Sequence, residues 1–147
     1  MESILMNFPS LAGYYPAFVA IGVLCLAVMI QSFLVGILAL APGHEIAGHP
    51  LKGTYQDKSF RIMRTYANST ENLPMLLGAF LLAILAGVSA TLVNWLVCLH
   101  LLFRLIHWLA YYAAIGKRDG GPRTIAYVGG LLTNIVLVVI ALWALMA

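Results

Sequence analysis

Four long apolar segments occupy most of the chain and constrain its fold more than any other feature. They cover residues 15–41, 73–88, 92–115 and 125–146. A membrane-spanning helix needs about 20 predominantly apolar residues, and three of the segments exceed that length. The second reaches it only if its helix also includes the polar residues from about Phe60 onward. We therefore predict one domain over residues 1–147, an all-α integral membrane protein whose four transmembrane helices form an up-down bundle.

The composition excludes an ordinary soluble domain. Only 9% of the residues are charged and 63% are hydrophobic, whereas a soluble domain carries about 25% charged residues. The first apolar segment is longer than the core of a signal peptide, which spans about 7–15 residues. We therefore expect that segment to be retained as a helix.

Basic residues are concentrated in two of the connections between the segments. They lie in or near the connection after the first segment and in the connection after the third: Lys52, Lys58, Arg61, Arg64, Lys117, Arg118 and Arg123. The positive-inside rule places both connections in the cytoplasm and both termini on the opposite side. The lack of a retention signal favours a bacterial inner membrane. The net charge of +3 thus reports topology and gives no sign of a nucleic-acid partner.

A polar stripe lies on each of the second and third predicted helices. The first stripe spans about 80° of helix two and consists of Arg61, Arg64, Asn68 and Glu71. The second spans about 60° of helix three and consists of Arg104, His107 and Tyr111. Ionised groups cost roughly 2.5–3.5 kcal/mol at the centre of a membrane helix, so they normally face a bundle interior or a wet cavity. Because the two helices are consecutive and antiparallel, we predict one shared cavity that opens toward the cytoplasm.

Two interpretations of the stripes remain open. A buried polar network without a ligand, in which Glu71 pairs with Arg64 and Arg104 holds subunits in register, requires the same residues. The alternative is an anionic ligand, because one carboxylate cannot neutralise three arginines and guanidinium is suited to bidentate carboxylate binding. Glu71 would then be free to bind an amine, so a zwitterion with carboxylates and an ammonium group fits best. A transporter or proton relay is disfavoured because no pair of broken midspan helices is evident.

These residues resemble the motifs of the membrane-associated proteins in eicosanoid and glutathione metabolism, the MAPEG family. The family pattern R-x-x-R-x-x-x-N-x-x-E, followed by Asn or Tyr and then Pro, is matched by Arg61, Arg64, Asn68, Glu71, Asn72 and Pro74. The helix-three pattern R-x-x-H-x-x-x-Y of its prostaglandin E synthase and glutathione transferase branches is matched by Arg104, His107 and Tyr111. "RTIAY", with Arg123, Thr124 and Tyr127, is similar to the R-S-x-x-Y that starts helix four in the former branch. The resemblance covers all four predicted spans.

The resemblance implies a homotrimer that binds glutathione between subunits near the cytosolic side. It implies a membrane-bound glutathione transferase or peroxidase that detoxifies lipophilic electrophiles or lipid hydroperoxides reaching it from the bilayer. The implied glutathione-binding residues are Arg61, Arg64, Asn68, Glu71, Asn72, Arg104, His107, Tyr111 and Tyr127. Arg123 would stabilise the thiolate, with Thr124 beside it. The alternative is a non-catalytic, lipid-binding relative that resembles five-lipoxygenase-activating protein.

Some positions depart from the family pattern. Ala67 stands where prostaglandin E synthase-like members have a further arginine, and Gly43 and His44 stand where those members have a basic residue. Another thiol could therefore replace glutathione. Counting from the helix-three tyrosine, as in the leukotriene C synthase branch, selects Arg118 as the catalytic arginine, whereas the "RTIAY" match selects Arg123. We favour Arg123 because Thr124 and Tyr127 accompany it.

No metal site is expected from the sequence. The segment from His44 to His49 resembles the zinc motif H-E-x-x-H, but the second histidine comes one residue too late. The motif also needs both histidines on one helix, and this segment is rich in turn residues.

Overall fold

Helices make up nearly all of the described protein. The structure, a computed structural model, describes residues 9–39, 53–116 and 120–147. A one-turn helix at Pro9–Ala12 precedes four long helices, which are α1 (Tyr15–Ala39), α2 (Lys58–Leu85), α3 (Ala90–Tyr112) and α4 (Pro122–Met146). Each long helix is long and apolar enough to cross a membrane. The predicted all-α fold with four membrane spans is confirmed.

The polar sequence ahead of the second apolar segment is helical. α2 begins at Lys58, one residue after the N-cap Asp57, and continues through Pro74. The preceding turn is closed by Asp57, whose Oδ2 accepts hydrogen bonds from the Thr54 backbone N–H at 2.7 Å and from its hydroxyl at 3.2 Å. The first polar stripe therefore lies inside a membrane-spanning helix. The sequence predicted this, because the second apolar segment alone is too short to span a membrane.

The helices alternate in direction. A tight turn at Gly87, where φ is +69°, connects α2 to α3. Asn94 of α3 ties this end to the start of α1: its Oδ1 accepts from the Ala17 N–H at 3.1 Å and its Nδ2 donates to the Gly13 carbonyl at 2.8 Å. The other end holds the start of α2, the end of α3 and the start of α4. We call it the basic end, because Lys58, Arg61 and Arg123 lie there.

The interior of the bundle is apolar near the turn at Gly87 and becomes more polar toward the basic end. Small side chains let the helices pack closely, and the fully or almost fully buried alanines are Ala17, Ala20, Ala79, Ala83, Ala110, Ala126 and Ala141. Buried polar groups of α2, α3 and α4 lie at midspan and in the half nearer the basic end, and we call them the polar layer: Thr65, Asn68, Ser69, Asn72, His100, Arg104, His107, Thr133 and Asn134. Hydrogen bonds join its helices. His100 Nδ1, for example, lies 3.0 Å from the Gly130 carbonyl oxygen and 3.1 Å from the Thr133 hydroxyl.

Several sequence-predicted positions lie outside the described residues. They are Lys52, Lys117 and the second candidate catalytic residue, Arg118, together with Gly43, His44 and His49.

Candidate functional site

A cavity of about 290 Å³ opens at the basic end between α2, α3 and α4. Its lining consists of Arg64, Asn68, Glu71, His107, Tyr111, Arg123, Thr124 and Tyr127. All eight are among the twelve site residues predicted from the sequence. Both polar stripes and the start of α4 therefore contribute to one cavity.

The α2 wall carries two opposite charges separated along one helical face. Arg64, Asn68 and Glu71 follow the i, i+4, i+7 spacing that keeps side chains on one side of a helix. Glu71 lies seven positions after Arg64, which is about 10 Å along the helix axis. Both side chains are exposed in the single chain. The wall thus offers one site for an anion and another for a cation, far enough apart to bind two ends of the same small molecule.

Asn68 lies between these charges and has an unused acceptor. Its side chain is 7% exposed, and its Oδ1 is buried with no hydrogen-bond partner among the described residues. A buried polar atom without a partner costs about 1–3 kcal/mol. A ligand N–H group that reached this oxygen would recover that cost.

The α3 wall holds the start of α4 in place through His107. This side chain is 3% exposed, and its Nδ1 lies 3.2 Å from the backbone carbonyl oxygen of Arg123. Because a carbonyl oxygen can only accept, Nδ1 carries the proton. The imidazole also contacts the rings of Tyr111 and Tyr127, with centroids 5.0 and 6.2 Å away. The backbone of Arg123 is thereby fixed to α3.

The guanidinium of Arg123 contacts two tyrosine rings. Its Cζ is 4.5 Å from the ring centroid of Tyr55 and 4.8 Å from that of Tyr111. The sequence predicted Tyr111 but not Tyr55, which precedes α2. No helical periodicity relates Tyr55 to the stripes, so only the proximity of an aromatic residue to the start of helix two could have drawn attention to it.

Arg61 does not line the cavity. Its Nη1 donates to the backbone carbonyls of Tyr55 and Gln56 at 2.9 and 2.8 Å. It borders a different cavity beside Leu34 and Ile62. The reason is its place in the first turn of α2, from which the guanidinium reaches back to the chain that enters the helix.

Arg104 and Asn72 belong to the polar layer beneath the cavity. Both border a small space of about 10 Å³, together with Ser69 and Trp108. Arg104 is 2% exposed, and its Nη2 lies 3.4 Å from the Ser69 hydroxyl oxygen. Arg104 belongs to the α3 stripe but lies almost one turn further from the basic end than His107. Asn72 follows Glu71 directly along α2 but points about 100° away from it, and its side chain is buried.

Comparison with known proteins gives one family match. The MAPEG family model matches residues 17–143, a range that contains every residue lining the cavity. No curated protein matches the chain significantly.

Proposed function

The chain belongs to the MAPEG family, and on that premise we propose that it is a membrane-bound, glutathione-dependent transferase or peroxidase. The observation that supports this most strongly is the joint lining of one cavity by Arg64, Glu71 and Arg123. Such a cavity offers one cation for a carboxylate of glutathione, a second for its thiolate, and an anion for its ammonium group.

Four polar groups of glutathione have partners of matching chemistry in the cavity. A carboxylate suits Arg64, because guanidinium binds carboxylates in a bidentate manner. The ammonium group suits Glu71, and a peptide N–H suits the unpaired oxygen of Asn68. The thiol then faces Arg123 and Thr124 at the start of α4.

Activation of the thiol would follow from the charges around it. A free thiol has a pKa near 8.5, and a neighbouring cation or helix N-terminus lowers it. Arg123 supplies the cation, and it lies in the first turn of α4. Lowering the pKa increases the thiolate fraction at neutral pH, and the thiolate is the nucleophile.

Two reactions are open to this thiolate. With an electrophilic carbon, sulfur forms an S–C bond, the leaving group departs with its electron pair, and the thiol proton goes to water. With a hydroperoxide, sulfur attacks the terminal oxygen, the O–O bond breaks, and the alkoxide is protonated to an alcohol. A second glutathione then displaces hydroxide from the sulfenic acid to give the disulfide and water, so two thiols reduce one hydroperoxide.

We further propose that the cavity is completed in a homotrimer. Its volume is just below the range of about 300–1,000 Å³ typical of small-molecule sites, and Arg64, Glu71 and Thr124 are exposed in the single chain. A neighbouring subunit that covered them would enclose the ligand and exclude water. Apolar side chains exposed along all four helices would face lipid or a neighbouring subunit.

The orientation in the membrane completes the proposal. The basic end faces the cytoplasm of a bacterial inner membrane, in agreement with the positive-inside rule, and both termini lie on the other side. Water-soluble glutathione reaches the cavity from the cytoplasm. The lipophilic substrate approaches from the bilayer.

The test is calorimetric binding of glutathione to the purified, detergent-solubilised protein, followed by conjugation of an activated aryl halide. We expect Glu71→Gln to weaken binding about 10-fold to 100-fold, since a charged hydrogen bond contributes about 1.5–3 kcal/mol. A glutathione analogue without the α-amino group should bind both proteins equally. Lys58→Gln, at the basic end but outside the cavity lining, is the control for loss of a charge and should bind as the wild type does.

Failure of the wild type to bind at millimolar glutathione would overturn the proposal. A lipid-binding, non-catalytic relative that resembles five-lipoxygenase-activating protein, or an enzyme that uses another thiol, would then be the better account.

A further inference from the structure

Tyr55 is the second aromatic residue that contacts the guanidinium of Arg123. Tyr111 lines the cavity and contacts this guanidinium, and half-buried Tyr55, which is not part of the lining, contacts it as well. The two rings pack edge to face, with centroids 5.8 Å apart and planes at 77°. Aromatic faces attract guanidinium groups. Two such faces restrict the positions that the guanidinium can occupy.

The position of Tyr55 is itself fixed from two sides. Its hydroxyl donates to the Ile115 carbonyl, just beyond the end of α3, at 3.3 Å. Its own backbone carbonyl and that of Gln56 accept hydrogen bonds from Arg61 Nη1 at 2.9 and 2.8 Å. The guanidinium carbon of Arg61 also lies 5.9 Å from the centre of the Tyr55 ring. Arg61 therefore holds the segment that presents Tyr55 to Arg123.

We propose that Arg61 and Tyr55 are positioning residues that fix the guanidinium of Arg123 in the cavity. Arg61 contacts Tyr55, Tyr55 contacts Arg123, and Arg61 itself binds no ligand. The effect on the thiol rests on the proposed function, because it requires that Arg123 stabilise a bound thiolate. A cation held in place stabilises charge more effectively than a mobile one, since no reorganisation is needed when the thiolate forms.

Positioning and ligand binding predict different effects of substitution at Arg61. If Arg61 positions Arg123 through Tyr55, Arg61→Met should raise the pKa of the bound thiol and leave glutathione affinity close to that of the wild type. If Arg61 instead binds a glutathione carboxylate, Arg61→Met should weaken affinity at least tenfold, as expected for loss of a charged hydrogen bond. Residues acting in one chain of contacts are also non-additive.

The first experiment needs no ligand. An arginine-selective dicarbonyl reagent is applied to the full-length protein in detergent, and labelling of Arg123 is followed by mass spectrometry. We expect Tyr55→Leu and Arg61→Met each to increase the labelling rate several-fold. Tyr55→Phe keeps the ring and the Arg61 hydrogen bonds and loses only the long, exposed hydroxyl bond to Ile115, so it should stay near the wild-type rate. Tyr15→Leu, at the other end of the bundle, is the control for loss of a tyrosine. Unchanged labelling in Tyr55→Leu would overturn the proposal.

The second experiment measures glutathione affinity by calorimetry and thiolate formation by ultraviolet absorbance across a pH series. Tyr55→Leu and Arg61→Met should each lower the thiolate fraction at neutral pH about 2-fold to 5-fold, the range expected for loss of an exposed cation–π contact. Affinity should stay within about twofold of the wild type, and the double variant should match the more affected single variant. Additive effects or a tenfold loss of affinity in Arg61→Met would contradict the positioning role. If the wild type forms no thiolate, the proposed function fails, and the labelling result alone decides whether Arg61 and Tyr55 hold Arg123.

Discussion

Removing the hydroxyl of Ser69 should destabilise the bundle, because this group joins α2 to α3 within the polar layer. Its oxygen accepts from Trp108 Nε1 at 2.9 Å and lies 3.4 Å from Arg104 Nη2, while the hydroxyl donates to the Thr65 carbonyl at 2.8 Å. Ser69→Ala leaves the indole N–H and one guanidinium N–H without this acceptor in a site that is almost fully buried.

The magnitude follows from the number and quality of these bonds. An unpaired buried donor costs about 1–3 kcal/mol in soluble proteins, and hydrogen bonds inside membrane proteins average about 0.6 kcal/mol with a maximum near 1.7 kcal/mol. The Trp108 bond is short and the Arg104 contact is long, so we expect Ser69→Ala to lower the free energy of unfolding by about 1–3 kcal/mol.

Titration of the detergent-folded protein with a denaturing detergent, followed by circular dichroism and tryptophan fluorescence, measures this change. Ser89→Ala is the matched control, since Ser89 is exposed and caps α3 without a side-chain hydrogen bond. Its unfolding free energy should lie within about 0.5 kcal/mol of the wild type. Equal stability of Ser69→Ala and Ser89→Ala would refute the view that the polar layer stabilises the bundle.

Three further predictions concern the packing of the helices, the end of the bundle that holds the turn at Gly87, and the pH dependence of conjugation. Gly129→Ala should destabilise the protein by about 1–3 kcal/mol, because the added Cβ would lie 2.5 Å from the Phe103 ring. The control is Gly130→Ala, whose added Cβ has neighbours no closer than 3.7 Å and which should leave the unfolding free energy unchanged in the same assay. Asn94→Leu should cost about 1–2 kcal/mol, measured in the same way, since it removes the acceptor for an N–H in the first turn of α1; no loss would rule out this capping role. The conjugation rate should fall as the pH drops through the lowered pKa of the bound thiol and should be constant above that pKa, because only the thiolate attacks. A rate that rises only near the free-thiol pKa of about 8.5 would exclude activation of the thiol by the protein.

The sequence predicted the spans and most of the cavity because both depend on local spacing. Apolar length determines where a membrane helix can form, and the angle between Arg64, Asn68 and Glu71 determines which face they share. Position along the helix axis proved harder to predict. Arg104 lies on the same face of α3 as His107, but it lies almost one turn further from the basic end and packs against Ser69 instead of lining the cavity.

Contacts that depend on the tertiary fold could not be predicted from spacing. Tyr55 lies in a connection whose path the sequence does not specify, and it meets Arg123 only because α4 begins beside the end of α3. Arg61 fits the helix-two stripe in angle, yet the helix start lets its side chain reach back to two backbone carbonyls. The pairing of Trp108 with Ser69 likewise requires knowledge of which faces of α2 and α3 meet.

The central claim is that the cavity binds glutathione as a thiolate beside Arg123. Its most direct test is the ultraviolet absorbance of the thiolate in purified protein saturated with glutathione, comparing the wild type with Arg123→Ala and Arg118→Ala. We predict a thiolate signal at neutral pH in the wild type and in Arg118→Ala, and its loss in Arg123→Ala while calorimetry still detects bound glutathione. A wild-type complex that holds glutathione as the neutral thiol, or a thiolate that survives in Arg123→Ala, would contradict the claim.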